Sequence, residues 1–140
     1  MKKSIGFLSV ATLAVVLAAP LGAQTFRVTG SVPFEFTVGV RSMPAGDYTV
    51  ARVGGTDQIK VSDGNTSAWS WATNTTLRPT ERTGQALLIF HRYGDQYFLA
   101  RIVDGDRYAG VELPPSRTEK ELSKTASLEK FETVAILARR

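Results

Sequence analysis

Few side chains in this sequence could act as nucleophiles, general bases or metal ligands. The chain has no cysteine, and His91 is its single histidine. Cysteine–histidine catalysis and zinc sites built from several histidines are therefore excluded. A serine–histidine–acid triad would have to use His91, which supplies only one of its three members. We interpret His91 as a structural residue on an apolar strand face.

The carboxylates are spread along the chain, and most of the aspartates lie close to glycines. Glycoside hydrolysis needs two carboxyl groups facing each other across a cleft, whereas aspartate beside glycine is typical of turns. Asp104-Gly105-Asp106 lacks the third oxygen ligand and the terminal glutamate of a calcium loop, so we interpret it as a turn. We therefore predict no metal site, no cofactor and no catalytic residue.

Aromatic side chains are the remaining candidates for ligand binding. Trp69 and Trp71, with Tyr93 and Tyr97 elsewhere, could form a platform for a sugar or an apolar ligand. Two tryptophans at a spacing of two share one face of a strand, and each buries a large area in a core. A core position is favoured for both, with the platform as the alternative. The candidate ligand-binding residues are Trp69, Trp71, His91 and Tyr93.

The stretch over residues 86–103 must position two of these candidates, His91 and Tyr93. In it, two runs rich in β-branched and aromatic residues flank Gly94-Asp95. A two-residue loop that begins with glycine is a strong hairpin signal, because glycine adopts the positive φ of a primed turn. Both faces of the two arms are largely apolar. We therefore predict a central hairpin that is covered on both sides.

A two-residue turn also sets the register of this hairpin. The predicted pairs are His91/Phe98, Ile89/Ala100 and Leu87/Ile102 on one face, and Arg92/Tyr97, Phe90/Leu99 and Leu88/Arg101 on the other. Arg92 and Arg101 then share a face. There they could bind an anion, but we favour apolar stems lying along neighbouring side chains with the charges in solvent.

Strand signals recur about every ten residues, with turn residues between them. The other predicted strands span residues 26–32, 34–38, 48–53, 58–62, 67–75, 107–113 and 131–138. Residues 77–84 are polar and predict an exposed loop. Ser116 and Glu119 form a capping box, which predicts a short helix over about 116–126. The fold class is therefore mainly β, an antiparallel β-sandwich or a small β-barrel with one short helix.

The N-terminal segment has the organisation of a secretory signal peptide. Lys2-Lys3 precede an apolar run over residues 5–19, and small residues follow up to Ala23. The apolar run has 15 residues, whereas a membrane-spanning helix needs ~20. We predict cleavage after Ala23, no transmembrane segment after cleavage, and a single β-rich domain over 24–140.

The net charge gives little support for a nucleic-acid partner. The formal net charge is +4, but without Lys2 and Lys3 the remaining 15 basic residues face 13 acidic ones. A net charge of about +2 does not support nucleic-acid binding, so no nucleic-acid partner is predicted. The absence of cysteine also means that an exported domain would be stabilised by packing without disulfides.

Several stretches of the chain carry a resemblance to a known family. They are VPFEFTVG at 32–39 with MPAGDYTV at 43–50, FHRYGDQYFL at 90–99, and GVELPPS at 110–116 with Glu119 and Leu122. In these stretches the chain is similar to a family of small exported bacterial proteins of unknown function, abundant in soil bacteria such as the acidobacteria. The resemblance implies export and a β-rich fold, and it supplies no catalytic or binding residue.

These features predict an exported, non-enzymatic β-domain in the periplasm or outside the cell, which acts by binding or by association with an envelope component. One alternative is a small-ligand carrier for a lipid or an oligosaccharide, with a barrel interior lined by the tryptophan pair and the hairpin. A second alternative is a hydrolase that uses His91 with a carboxylate. The first prediction rests on the signal peptide together with the missing catalytic constellation.

Overall fold

A computed structural model describes residues 26–105, 109–125 and 131–140 of the chain. The predicted signal peptide, residues 1–23, lies outside the described residues, as does Asp106 of the predicted turn. The described part is mainly β with one α-helix, as predicted. No helix in this part of the chain is long and apolar enough to cross a membrane.

The elements follow the predicted order of strands with one late helix. The strands are β1 (Arg27–Val32), β2 (Phe36–Val38), β3 (Arg41–Met43), β4 (Gly46–Arg52), β5 (Gln58–Ser62), β6 (Ser67–Trp71), β7 (Thr73–Thr76), β8 (Ala86–Tyr93), β9 (Gln96–Val103), β10 (Ala109–Glu112) and β11 (Glu132–Arg139). Helix α1 spans Arg117–Thr125, and a short 3₁₀ turn spans Pro79–Glu81. The predicted strand over 67–75 is divided at Ala72 into β6 and β7, and the short strand β3 was not predicted.

The strands form one sheet that curls into a nearly closed, barrel-like shape. Its order is β3-β2-β9-β8-β11-β1-β4-β5-β6, and β10 pairs with both β9 and β7. Because β7 follows β6 after a single residue, Ala72, the path of strands returns from β6 through β7 and β10 to β9. Of the two predicted architectures, the sheet has the barrel-like one.

The interior of the barrel is filled by side chains from alternate positions of the strands. Aromatic rings form its centre. Phe36 meets Tyr48 edge to face at a centroid distance of 5.0 Å and Phe90 at 5.2 Å. Phe34, which follows the break at Pro33, stacks on Tyr97 at 3.8 Å near one end. The barrel is therefore a packed core.

The predicted central hairpin is formed by β8 and β9. Gly94 occupies its turn with φ 60°, and β8 lies between β9 and β11 in the sheet. The side chains from Ala86 to Phe90 are all buried. The pairs His91/Phe98, Arg92/Tyr97 and Phe90/Leu99 agree with the predicted register. The predicted turn and the three pairs nearest to it are therefore confirmed.

The register changes beyond Phe90, because a β-bulge leaves Ala100 without a partner across the hairpin. The observed pairs there are Ile89/Arg101, Leu88/Ile102 and Leu87/Val103. The predicted pairs Ile89/Ala100, Leu88/Arg101 and Leu87/Ile102 are wrong by one residue. An extra residue reverses which face the following side chains occupy. Arg101 is therefore on the outer face, and the predicted shared face with Arg92 is wrong.

The segment over residues 77–84, predicted as an exposed loop, covers this outer face. Leu77 packs there in a second buried cluster with Leu87, Ile89 and Val103. Glu81, at the end of the 3₁₀ turn, is only 5% exposed. The prediction is wrong for this residue because Glu81 is the partner of the buried Arg101.

Arg101 makes five hydrogen bonds and ties four segments of the chain together. Its Nε and Nη2 donate to Glu81 at 2.9 and 2.8 Å, and Nη2 also donates to the Thr76 carbonyl at 3.0 Å. Its Nη1 donates to Glu112 at 3.2 Å and to Thr75 Oγ1 at 3.4 Å. A guanidinium has five N–H donors, so this buried cation is fully paired. The network joins β7, β9, β10 and the 3₁₀ turn where the barrel closes.

Candidate functional site

The two tryptophans lie on the outer face of β6. Trp69 is 51% exposed and Trp71 is 63% exposed. The favoured core position is therefore wrong, because the residues that alternate with them face inward. Those inward residues are small, and Ala68 and Ala72 are both buried. Larger side chains of the other strands pack with these alanines in the same core cluster, and the indoles occupy the opposite face of the strand.

Each tryptophan has a polar neighbour on the adjacent strand β5. Trp69 pairs across the sheet with Lys60, and Trp71 pairs with Gln58. The Lys60 ammonium lies 5.4 Å from the Trp69 ring centroid, a cation–π contact. Residues two apart on one strand are separated by about 7 Å. We call Trp69, Trp71, Lys60 and Gln58 the tryptophan strip.

The turn between β2 and β3 borders the tryptophan strip and fixes the edge of β6. A Cβ added at Gly39 would lie 3.3 Å from the Trp69 carbonyl oxygen, and Gly39 has φ +60°. Glycine therefore permits both this close approach and this backbone conformation. Arg41 Nη1 donates to the Ser67 carbonyl at 3.0 Å. The strip is thus held on a strand that is supported on both sides.

His91 and Tyr93 lie on the outer face of β8, where helix α1 docks. His91 Nδ1 is 2.8 Å from Glu119 Oε1, and the Tyr93 hydroxyl donates to the same oxygen at 3.3 Å. The Phe131 ring lies 4.2 Å from the His91 ring, centroid to centroid. We call His91, Tyr93 and Glu119 the histidine cluster. Sequence reasoning assigned Glu119 to the capping box and missed its contact with His91.

The helix start itself agrees with the prediction in part. Ser116 Oγ accepts from the Glu119 N–H at 3.1 Å, as expected for a capping residue. The Glu119 carboxylate was expected to reach back to the Ser116 N–H, but it contacts the sheet instead. One residue therefore contributes both to the cap and to the attachment of α1.

A carboxylate beside His91 is the arrangement that the hydrolase alternative requires. An Nδ1–H that donates to Glu119 leaves Nε2 as an acceptor, the form in which histidine acts as a general base. Nε2, however, is buried and has no hydrogen-bond partner in the described part of the chain. A substrate cannot reach a buried nitrogen. The geometry therefore favours a role in anchoring α1 to β8.

Tyr93 provides a test of this cluster. Its burial, the negative charge of Glu119 and the hydrogen bond to Glu119 raise the pKa of Tyr93 to about 12. Folded protein then holds this proton more tightly than unfolded chain, whose tyrosine pKa is about 10. The free energy of unfolding should therefore fall as the pH rises from about 10 towards 12, more steeply in wild type than in Tyr93→Phe. Urea unfolding at several pH values between about 10 and 12 measures how the free energy of unfolding changes with pH in both proteins. An equal dependence on pH in wild type and Tyr93→Phe would contradict the contact between Tyr93 and Glu119.

The candidate residues form two separate groups. Strands β11, β1, β4 and β5 lie between β8 and β6 in the sheet order, so the histidine cluster and the tryptophan strip do not form one site. Among residues 26–105, 109–125 and 131–140, no group of three His, Asp or Glu side chains is placed to hold a metal ion. Comparison with known proteins gives no match to a family model, a curated protein or a solved structure.

Proposed function

We propose that this chain is an exported, non-enzymatic β-domain that binds a polysaccharide of the cell envelope through the tryptophan strip. The observation that supports this most directly is the exposure of Trp69 and Trp71, side by side on one strand of a well-packed sheet. Large aromatic side chains are normally buried, and exposed apolar groups on a rigid support are typical of interaction sites.

The chemistry of the tryptophan strip suits a sugar chain. A pyranose ring has an apolar C–H face that stacks on an indole, while its hydroxyls at the ring edge need hydrogen-bond partners. Lys60 and Gln58 place such partners beside the two indoles. Because the indoles are spaced along β6, one linear glycan can contact both of them. An exposed pair of indoles of this kind needs no cavity in the barrel.

The proposal of export rests on the sequence. The N-terminal segment has the basic region, apolar region and cleavage site of a signal peptide, with cleavage expected after Ala23. The resemblance to small exported bacterial proteins also implies export. We therefore place the mature domain in the periplasm or outside the cell. Cell fractionation and N-terminal sequencing test this, with Gln24 expected as the first residue of the exported protein. An uncleaved cytoplasmic product would contradict it.

The two alternatives receive less support from the geometry. A carrier whose interior is lined by the tryptophan pair is inconsistent with the position of both indoles on the outer face. A hydrolase that uses His91 has a carboxylate in place but no accessible nitrogen. Turnover in a panel of hydrolase assays that is lost on His91→Ala would establish the enzyme and reject the non-enzymatic proposal.

Co-sedimentation with insoluble polysaccharides tests the tryptophan strip. Cellulose, chitin and purified peptidoglycan serve as probes for wild type, Trp69→Ala, Trp71→Ala and the double variant. We expect wild type to bind one of them and each single variant to bind about tenfold more weakly, since a tenfold change is about 1.4 kcal/mol and truncation of an aromatic anchor commonly costs about 1–2 kcal/mol. The matched control is Arg117→Ala, because the Arg117 side chain is 92% exposed on α1, away from the strip.

The outcomes separate a sugar ligand from a lipid surface. A parallel experiment uses anionic phospholipid vesicles, because tryptophan and lysine together also occur at membrane interfaces. Tryptophan-dependent binding to vesicles with no binding to polysaccharide would overturn the proposal in favour of a membrane-surface domain. Equal polysaccharide binding by wild type and the double variant would remove the tryptophan strip as the site.

A further inference from the structure

The barrel has an incomplete seam between β11 and β1. β11 pairs with β8 from Glu132 to Ala138, but its pairs with β1 are only Thr29/Arg139 and Gly30/Ala138. The chain leaves β1 at Pro33 and crosses towards β2. Within the described residues, the stretch over 132–137 therefore pairs with a neighbouring strand on one side only. We call this stretch the open edge.

Burial along β11 agrees with an open edge. Its inward side chains Val134 and Ile136 are only half-buried, whereas the corresponding side chains of β8 are fully buried. Leu137 on its outer face is 65% exposed. An edge strand presents unpaired backbone N–H and C=O groups, and the partner that satisfies them is another extended strand.

The sequence of the open edge lacks the usual protection against strand pairing. Such edges are normally blocked by proline, lysine, a bulge or a very short strand. The open edge reads Glu-Thr-Val-Ala-Ile-Leu, with one charge at its beginning and neither proline nor glycine. β3, at one end of the sheet order, contrasts with it because β3 has three residues and begins with Arg41.

We propose that the open edge pairs antiparallel with the open edge of a second copy of this chain. A two-fold axis makes the surface complementary to itself. In a register centred on Ala135, Val134 of each copy lies opposite Ile136 of the other, so these half-buried side chains share one side of the joined sheet. Glu132 then lies opposite an apolar residue of the second copy, so no two carboxylates face each other.

The short length of the open edge determines the strength of this dimer. Five or six residues form a small contact, less than the ~1,000 Å² expected of a stable interface. The dimer is therefore weak and depends on protein concentration. It would carry two copies of the tryptophan strip, and so raise the avidity for a polymer without any new contact.

Cysteine trapping tests the pairing, because the natural chain has no cysteine. Ala135 is exposed and near the proposed two-fold axis, where Cα atoms on paired strands lie about 4.5–5.5 Å apart, within disulfide range. Mild oxidation of purified Ala135→Cys should give a covalent dimer. Thr73→Cys, at an exposed position on β7, is the matched control and should remain monomeric. Equal dimer formation by the two variants would overturn the proposal.

Sedimentation velocity over a concentration series gives a second readout without oxidation. Wild type and Thr73→Lys should show the same concentration-dependent dimer, whereas Ala135→Lys should shift the dissociation constant at least tenfold towards monomer. A wild type that remains monomeric to millimolar concentration would overturn the proposal. A dimer that Ala135→Lys leaves unchanged would also overturn it, since the contact would then lie elsewhere. Neither result depends on polysaccharide binding.

Discussion

Replacing Arg101 with methionine is expected to lower the free energy of unfolding by about 3–5 kcal/mol. The reason is the carboxylate that remains. Glu81 is 5% exposed and accepts two hydrogen bonds from the guanidinium. Without its cation it becomes an uncompensated buried charge. The loss should appear as a lower midpoint in urea unfolding monitored by circular dichroism.

Two matched variants separate this effect from a loss of packing. The double variant Arg101→Met with Glu81→Leu removes both charges and should recover most of the stability, because apolar replacement of a buried ion pair is often nearly neutral. Arg117→Ala removes a surface ion pair with Glu121 and should cost less than about 0.5 kcal/mol. If Arg101→Met were as stable as the double variant, the buried Glu81 carboxylate would not depend on Arg101 for its stabilisation.

The second large effect is expected at the centre of the barrel. Phe90→Ala should destabilise the fold by about 3–5 kcal/mol, since it removes a fully buried ring and leaves a cavity. Phe90 is 0% exposed and meets Phe34 and Phe36 edge to face at 5.1 and 5.2 Å. The same urea titration measures the change.

The control for this prediction is a truncation on the outer surface. Leu137→Ala removes a side chain that is 65% exposed and should change stability by less than about 0.5 kcal/mol. If Phe90→Ala were as mild as Leu137→Ala, the hairpin formed by β8 and β9 could not be the centre of the core. A loss of stability in Phe90→Ala but not in Leu137→Ala would support a packed interior centred on this hairpin.

The sequence predicted the central hairpin because its signals are local. A glycine at the first turn position and two apolar arms are enough to specify the turn and the three pairs nearest to it. The bulge at Ala100 left no such local signal in the sequence. Once the register shifts there, every later side chain changes face. Arg101 was therefore assigned to the wrong side of the sheet.

The buried partners of charged residues could not be found from spacing alone. Glu81 lies in a polar segment with Arg78 and Arg82, which is typical of an exposed loop. Only the three-dimensional position of Arg101 shows why this carboxylate is buried. The same holds for Glu119, whose contact with His91 joins residues 28 apart in the chain.

The tryptophan strip shows a limit of reasoning from residue type. Large aromatic residues favour burial on average, so the core position was the natural expectation for both indoles. The deciding information is in the alternate positions, Ala68, Ser70 and Ala72, whose small side chains fit an interior filled by other strands. The face of a strand that points inward therefore depends on the size of the side chains on both of its faces and on the space that the other strands leave.

The most direct test of the account is the emission of the two tryptophans, because Trp69 and Trp71 are the only ones in the chain. We predict solvent-exposed emission in the free protein and a saturable blue shift on titration with a soluble fragment of the polysaccharide that binds in co-sedimentation, unchanged in His91→Ala. An emission spectrum that stays constant while the glycan binds would contradict the account, because binding would then occur away from the tryptophan strip.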